Sequence, residues 1–141
     1  MKMSRFLKPT ASAFVNLRRL LCSPSTASVT YEEFEAHRRQ GTLIVDVREP
    51  KELDQIGEIP GAVNIPLGFL EQAFAMDTAE FKAIVGCTKP QQEDQIIFSC
   101  MKGIRAKTAK DLVEAKYGFK NSIYYPGSYT EWITKQEQKL T

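Results

Sequence analysis

The sequence predicts an α/β fold in which a central, mainly parallel sheet is flanked by helices on both faces. Three observations predict it. Two short runs, Leu43–Val47 and Gln95–Phe98, are almost continuously apolar and rich in β-branched residues, the pattern of strands buried on both sides. Segments with helical apolar spacing separate and follow them, so strand and helix alternate along the chain. The length of 141 residues fits a single domain of this kind.

The elements follow in order. Thr30 can cap a helix over 31–40, because Glu33 stands three residues on as in a capping box, and Gly41 ends it. The run Leu43–Val47 is the first strand. Pro50 opens a short helix through Gln55. Ala62–Ile65 is a short strand between Pro60-Gly61 and Pro66. Helical stretches follow at Phe69–Ala75 and Thr78–Val85, and Lys89–Asp94 is a polar loop. Gln95–Phe98 is the second buried strand and Ser99–Ile104 a loop. Arg105–Tyr117 is a helix whose Ala109, Leu112, Val113 and Tyr117 share a face, closed by Gly118. Ser122–Tyr125 is the last strand, Pro126-Gly127 turns the chain, and a final helix carries Trp132 and Ile133.

Charge is divided unevenly. Residues 1–30 hold five basic residues (Lys2, Arg5, Lys8, Arg18, Arg19) and no acid, which leaves 14 basic and 17 acidic residues, a net charge of −3, for 31–141. That balance argues against a nucleic-acid surface on the folded part. No run of about 18 apolar residues occurs, so no membrane span is expected. The leader is rich in Ser and Thr, and Phe14, Leu17 and Leu21 fall on one helical face with Arg18 and Arg19 off it. This is the composition of a mitochondrial transit peptide, with the matrix as destination. Pro9, Asn16 and the Arg pair break its apolar runs, which disfavours a secretory signal. The expected division is a leader over 1–28, a transit peptide or disordered tail, and a folded domain over 29–141.

The chemistry centres on Cys100. It stands where a buried strand ends and a helix begins about five residues later, the place where open α/β sheets bind ligands. A helix N-terminus offers unpaired N–H groups and partial positive charge. Gly103 lets the loop bend so that these groups converge, and Lys102 and Arg105 add full charges. A thiol in this setting should stand partly as thiolate, and the same cradle suits an anion. The single histidine, His37, lies far along the chain. A Cys–His dyad and a multi-histidine metal site are therefore both disfavoured. Transfer of a sulfane sulfur needs no base: the thiolate attacks the outer sulfur of an anionic donor, and a second nucleophile later removes it.

Three motifs, in order, resemble those of the single-domain rhodaneses, the thiosulfate sulfurtransferases, over about residues 29–135. They are Asp46-Val47-Arg48 with Gly57-Glu58-Ile59-Pro60-Gly61-Ala62-Val63-Asn64-Ile65-Pro66; the loop Cys100-Met101-Lys102-Gly103-Ile104-Arg105; and Tyr125-Pro126-Gly127-Ser128-Tyr129-Thr130-Glu131-Trp132. The resemblance implies a rhodanese-like fold and a persulfide carried by Cys100. Met101, Lys102, Gly103, Ile104 and Arg105 would bind the donor, and Asp46 and Arg48 would support the loops. The donor would be thiosulfate or a related persulfide, and the acceptor cyanide, glutathione or a protein thiol. No metal or organic cofactor is implied, and no nucleic-acid or membrane partner. Four residues separate Cys100 and Arg105; the related phosphatases and arsenate reductases have a loop one residue longer. Glu58 stands where the family often has His, and Ser128 where it often has a second Gly. The alternative reading is a noncatalytic rhodanese-like binding module, which a loop lacking its cysteine would suggest.

Other residues read more simply. Trp132 is expected in the core, Cys87 near a helix end, and Cys22 in the leader, with no structural disulfide. His37 is expected to be a helix residue without function. Lys107, Lys110 and Glu114 should form a solvated helix face.

Overall fold

The computed structural model describes residues 27–140. The proposed leader, with Cys22, lies outside them, except that Ala27 and Ser28 run beside the last strand. Ser28 bridges Tyr124 in parallel, and the Tyr124 N–H donates to the Ala27 carbonyl at 3.1 Å.

The elements are α1 (Tyr31–Gln40), β1 (Leu43–Asp46), α2 (Pro50–Ile56), β2 (Val63–Asn64), a 3-10 turn (Leu67–Phe69), α3 (Leu70–Ala75), α4 (Thr78–Val85), β3 (Ile96–Ser99), α5 (Ile104–Tyr117), β4 (Ser122–Tyr124) and α6 (Ser128–Lys139). The sheet order is β2-β1-β3-β4, and every pairing is parallel. The expected α/β architecture is therefore the observed one. Several expected ends differ. Val47, Ala62, Ile65, Gln95 and Tyr125 fall outside the ladders, and Ile104 already belongs to α5. Val47, Ile65 and Tyr125 still donate to the carbonyls of Ser99, Asp46 and Phe98. The extended chain thus outlasts the regular pairing by a residue where it turns toward the next helix.

The period of two along buried strands sorts the core into two layers. Val45, Ile96 and Phe98 face α3, α4 and α5, where they pack with Leu70, Phe74, Phe81, Ala109 and Val113. Ile44, Ile97 and Ile123 face α1 and α6, where they meet Phe34, Tyr125, Tyr129 and Trp132. Trp132 is in the core as expected, and its Nε1–H donates to Glu35 at 3.0 Å.

Helix starts are explained by their sequence. The Thr30 hydroxyl accepts from the Glu33 N–H and the Glu33 carboxylate accepts from the Thr30 N–H, which is the reciprocal cap expected of that spacing. Asp77 caps α4, and Pro50 sits in the first turn of α2, where its missing N–H costs nothing. One expectation on α5 needs correction. Lys110 is buried rather than solvated, although its ammonium still reaches Glu114 at 2.7 Å. The long stem lies along the apolar surface while the charged tip finds the rim. Among the described residues no helix is long and apolar enough to cross a membrane.

Candidate active site

The C-terminal end of β3 runs directly into the loop Cys100–Gly103, and α5 begins at Ile104. Gly103 is left-handed, with φ of 99°. A Cβ there would sit inside contact distance of the Pro126 carbonyl oxygen and 3.0 Å from its carbonyl carbon. Glycine at this position therefore answers both a backbone conformation and a close approach of two chain segments.

This bend turns N–H groups inward. The Cys100 Sγ accepts from the Gly103 N–H at 3.0 Å and from the Ala106 N–H at 3.3 Å. The Ser128 hydroxyl lies 3.9 Å from the same sulfur. Cys100 is only 1% exposed and packs against one apolar layer, but its sulfur faces the amides. Fixed N–H dipoles aimed at a sulfur stabilise negative charge on it, and they need no rearrangement when that charge develops.

The loop carbonyls point the other way, toward α6. The Tyr129 N–H donates to the Cys100 carbonyl at 3.0 Å. The Thr130 N–H and hydroxyl donate to the Met101 carbonyl at 3.1 and 2.9 Å. Ser128 completes the brace: its Oγ accepts from the Cys100 N–H at 3.0 Å and donates to the Tyr125 carbonyl at 2.7 Å. It is fully buried, and among the described residues it alone has positive φ without being glycine, at 51°. A buried residue held in a costly conformation persists because its surroundings over-determine it.

The expected donor-binding residues are dispersed in role. Of Met101 to Arg105, only Gly103 directs its N–H onto the sulfur, and the second amide comes from Ala106, one residue beyond. Met101 packs beside the α1/α6 layer. Lys102 is exposed, and Ile104 is 79% exposed. Arg105 is engaged: its guanidinium makes a two-pronged ion pair with Glu52 of α2, at 2.7 and 3.0 Å. Glu52 also accepts the Glu49 N–H at 2.9 Å. The Arg105 guanidinium, with burial opposing and the Glu49 N–H helping, holds the Glu52 carboxyl down at about 2. Arg105 is raised in turn, chiefly by its bonds to Glu52, with the charges of Cys100 and Asp46 adding to the effect.

Asp46 and Arg48 form a buried pair beneath this site. Both are essentially unexposed, and the Arg48 Nη2 lies 2.7 Å from Asp46 and donates to the Gly57 carbonyl at 3.0 Å. The guanidinium also stacks 4.6 Å from the Tyr129 ring centre. The pair thus connects the end of β1 to the loop after α2 and to the helix that holds the Cys100 carbonyl. Sequence reasoning did not single out Glu52, Ala106, Ser128 or Thr130 for these contacts. Glu52 was visible only as an acid three residues after Glu49, in capping-box spacing. Cys87 is half-buried, burial raises its thiol, and it and Cys100 are both free. His37 lies on α1, 3.2 Å from the Thr42 hydroxyl.

Replacing Gly103 with alanine tests the bend. The added methyl must push Pro126 or unwind the left-handed turn, and either motion carries the amide off the sulfur. We expect a stability loss of about 2 kcal/mol in urea unfolding and a rate loss of roughly a hundredfold, the scale for losing one oriented donor. A Gly103→Ala protein with unchanged stability and turnover would mean that the close approach to Pro126 is slack.

Comparison with known proteins bears on the family and the fold. The family model for the rhodanese-like domain matches residues 30–135. The mitochondrial thiosulfate sulfurtransferase RDL2 of Saccharomyces cerevisiae is 41% identical over 99 residues, covering 70% of this chain and 65% of that protein. The human thiosulfate:glutathione sulfurtransferase is 38% identical over 94 residues, covering 66% of this chain and 80% of its own. Among solved structures, the human single-domain sulfurtransferase TSTD1 superposes with a TM-score of 0.73 at 35% identity, covering 77% of this chain and 96% of that one. With its four parallel strands and a family match running from Thr30 into the last helix, as far as Lys135, the chain belongs to the single-domain rhodanese family.

Proposed function

We propose that this protein is a sulfurtransferase that carries a sulfane sulfur on Cys100. The observation that carries the reading is the pair of backbone N–H groups, from Gly103 and Ala106, directed at one sulfur where β3 meets α5. In the first half-reaction the Cys100 thiolate attacks the outer sulfur of thiosulfate. A new S–S bond forms, the old S–S bond breaks, and its electron pair leaves with sulfite. In the second, a thiolate or cyanide attacks the outer sulfur and restores the Cys100 thiolate. Charge is conserved in both steps, and no outside oxidant or reductant is consumed. The N–H groups hold the anionic sulfur, Lys102 draws the donor in, and Arg105 adds attraction that Glu52 offsets.

The donor class is thiosulfate or a persulfide, and the acceptor a thiol such as glutathione, a protein thiol, or cyanide. Relatives named for thiosulfate and for glutathione support this choice. The basic, acid-free leader, together with relatives whose names place them in mitochondria, supports a mitochondrial address. Asp46 and Arg48 act as a brace.

Intact-mass measurement after incubation with thiosulfate tests the reaction. The protein should gain one sulfur atom and lose it on adding cyanide, with thiocyanate appearing in equal amount. If neither thiosulfate nor an organic persulfide adds mass, the protein is a binding module and not a transferase.

A further inference from the structure

The loop carries two cations in sequence, and they stand in different states. Lys102 is exposed and forms no ion pair with another described residue. Arg105 has both of its terminal nitrogens on Glu52. Glu52 is not a wandering surface acid, because α2 fixes it from behind: it is the third residue of that helix, and its carboxylate closes the helix cap on the Glu49 N–H. Such a pair, bidentate and partly buried at 35% and 27% side-chain exposure, is the geometry in which an arginine is held rather than lent. Glu52 stays charged far below neutral pH, so ordinary acidity does not free Arg105. Of the two cations that the loop brings near Cys100 in sequence, one is therefore compensated by Glu52 and one is not.

We propose that Glu52 determines which sulfur donors the site favours: by cancelling Arg105, it weakens the hold on doubly charged oxyanions relative to singly charged sulfur carriers. The proposal rests on the sulfurtransferase reading and specifies its substrate class. Thiosulfate enters as a dianion and sulfite leaves with two charges. Alkyl persulfides and thiosulfonates enter with one, and a thiosulfonate leaves a singly charged sulfinate. A free arginine beside the thiol would strengthen capture of the dianion and also slow its departure. Glu52 is thus a specificity-determining residue that never touches the reacting sulfur.

The test is Glu52→Gln, which keeps the side-chain length and an oxygen for the Glu49 N–H while adding one net positive charge beside the loop. Interaction energy scales with ligand charge, so the fold-gain for a dianion is the square of that for a monoanion. At several ångströms in near-aqueous surroundings this is about threefold for one charge and about tenfold for two. KM for thiosulfate should fall about tenfold and KM for methanethiosulfonate about threefold. Inhibition by sulfate should tighten about tenfold, and molar salt should erase all three differences. Calorimetry of sulfate on the Cys100→Ser protein, with and without Glu52→Gln, reads the same gain without turnover. Arg105→Gln should move every value in the opposite direction, so either variant decides the matter if the other does not fold. Equal shifts for both donors, or none, would overturn the proposal. Wild-type protein that takes sulfur from neither donor would instead overturn the sulfurtransferase reading.

Discussion

Cys100→Ser should take up no sulfur from thiosulfate and turn over no donor, while melting within a few degrees of wild type. The loss is complete because a hydroxyl is not ionised near neutral pH and is a poor nucleophile toward sulfur, whereas a thiolate is ionised and soft. The fold survives because serine is nearly isosteric. The main backbone contacts of Cys100, its N–H to Ser128 and its carbonyl to Tyr129, do not involve its side chain. A swap of this kind, burying a hydroxyl beside two N–H donors, costs about 1 kcal/mol. Intact mass and differential scanning measurements on the two proteins check both halves. Sulfur uptake by the serine protein would move the carrier elsewhere. Cys87 is then the place to look, since it is the other free thiol among the described residues.

Asp46→Ala should produce the largest change in stability. Its carboxylate accepts from the Arg48 backbone N–H at 3.0 Å, from Nε at 3.0 and 3.1 Å and from Nη2 at 2.7 Å. Arg48 has no exposure, and its Nη1 has no partner. Removing the acid leaves a guanidinium in the interior with one carbonyl, that of Gly57, and one aromatic face. Breaking a buried pair by deleting one member costs about 3–5 kcal/mol. A domain of this size has about 5–15 kcal/mol in total, so the variant should sit close to unfolding. Asp46→Ala combined with Arg48→Met should recover much of the loss, because no charge is then stranded. Urea midpoints for the three proteins measure this. A single variant within about 1 kcal/mol of wild type would show that solvent reaches Arg48.

Much of the architecture was legible because its causes are local. The run Leu43–Val47 has the composition of a doubly buried strand, and Thr30 with Glu33 carries its cap within one turn. The position of Cys100 between strand and helix is equally local, so the proposed sulfur carrier could be singled out from ten consecutive residues. What the sequence concealed depends on partners far apart in the chain. Glu52 and Arg105 are 53 positions apart, and Cys100 and Ser128 are 28 apart. Nothing in either neighbourhood says which acid meets Arg105, so its charge read as available when it is held. The role of Ala106 was hidden for a smaller reason: its N–H lies one residue beyond the loop, in the first turn of α5. The strand ends misjudged by one residue are places where side-chain pattern continues after ladder pairing has stopped.

The carbonyls of Cys100 and Met101 are held by N–H groups of Tyr129 and Thr130, so the surroundings of the thiol are finished by residues made well after it. As the chain leaves the ribosome, Cys100 emerges ahead of the segment that shapes its loop. Until that segment docks, the loop lacks its brace, and a copy clipped before Tyr129 would never acquire it. The braced form of the loop is in this way expected only in completed molecules.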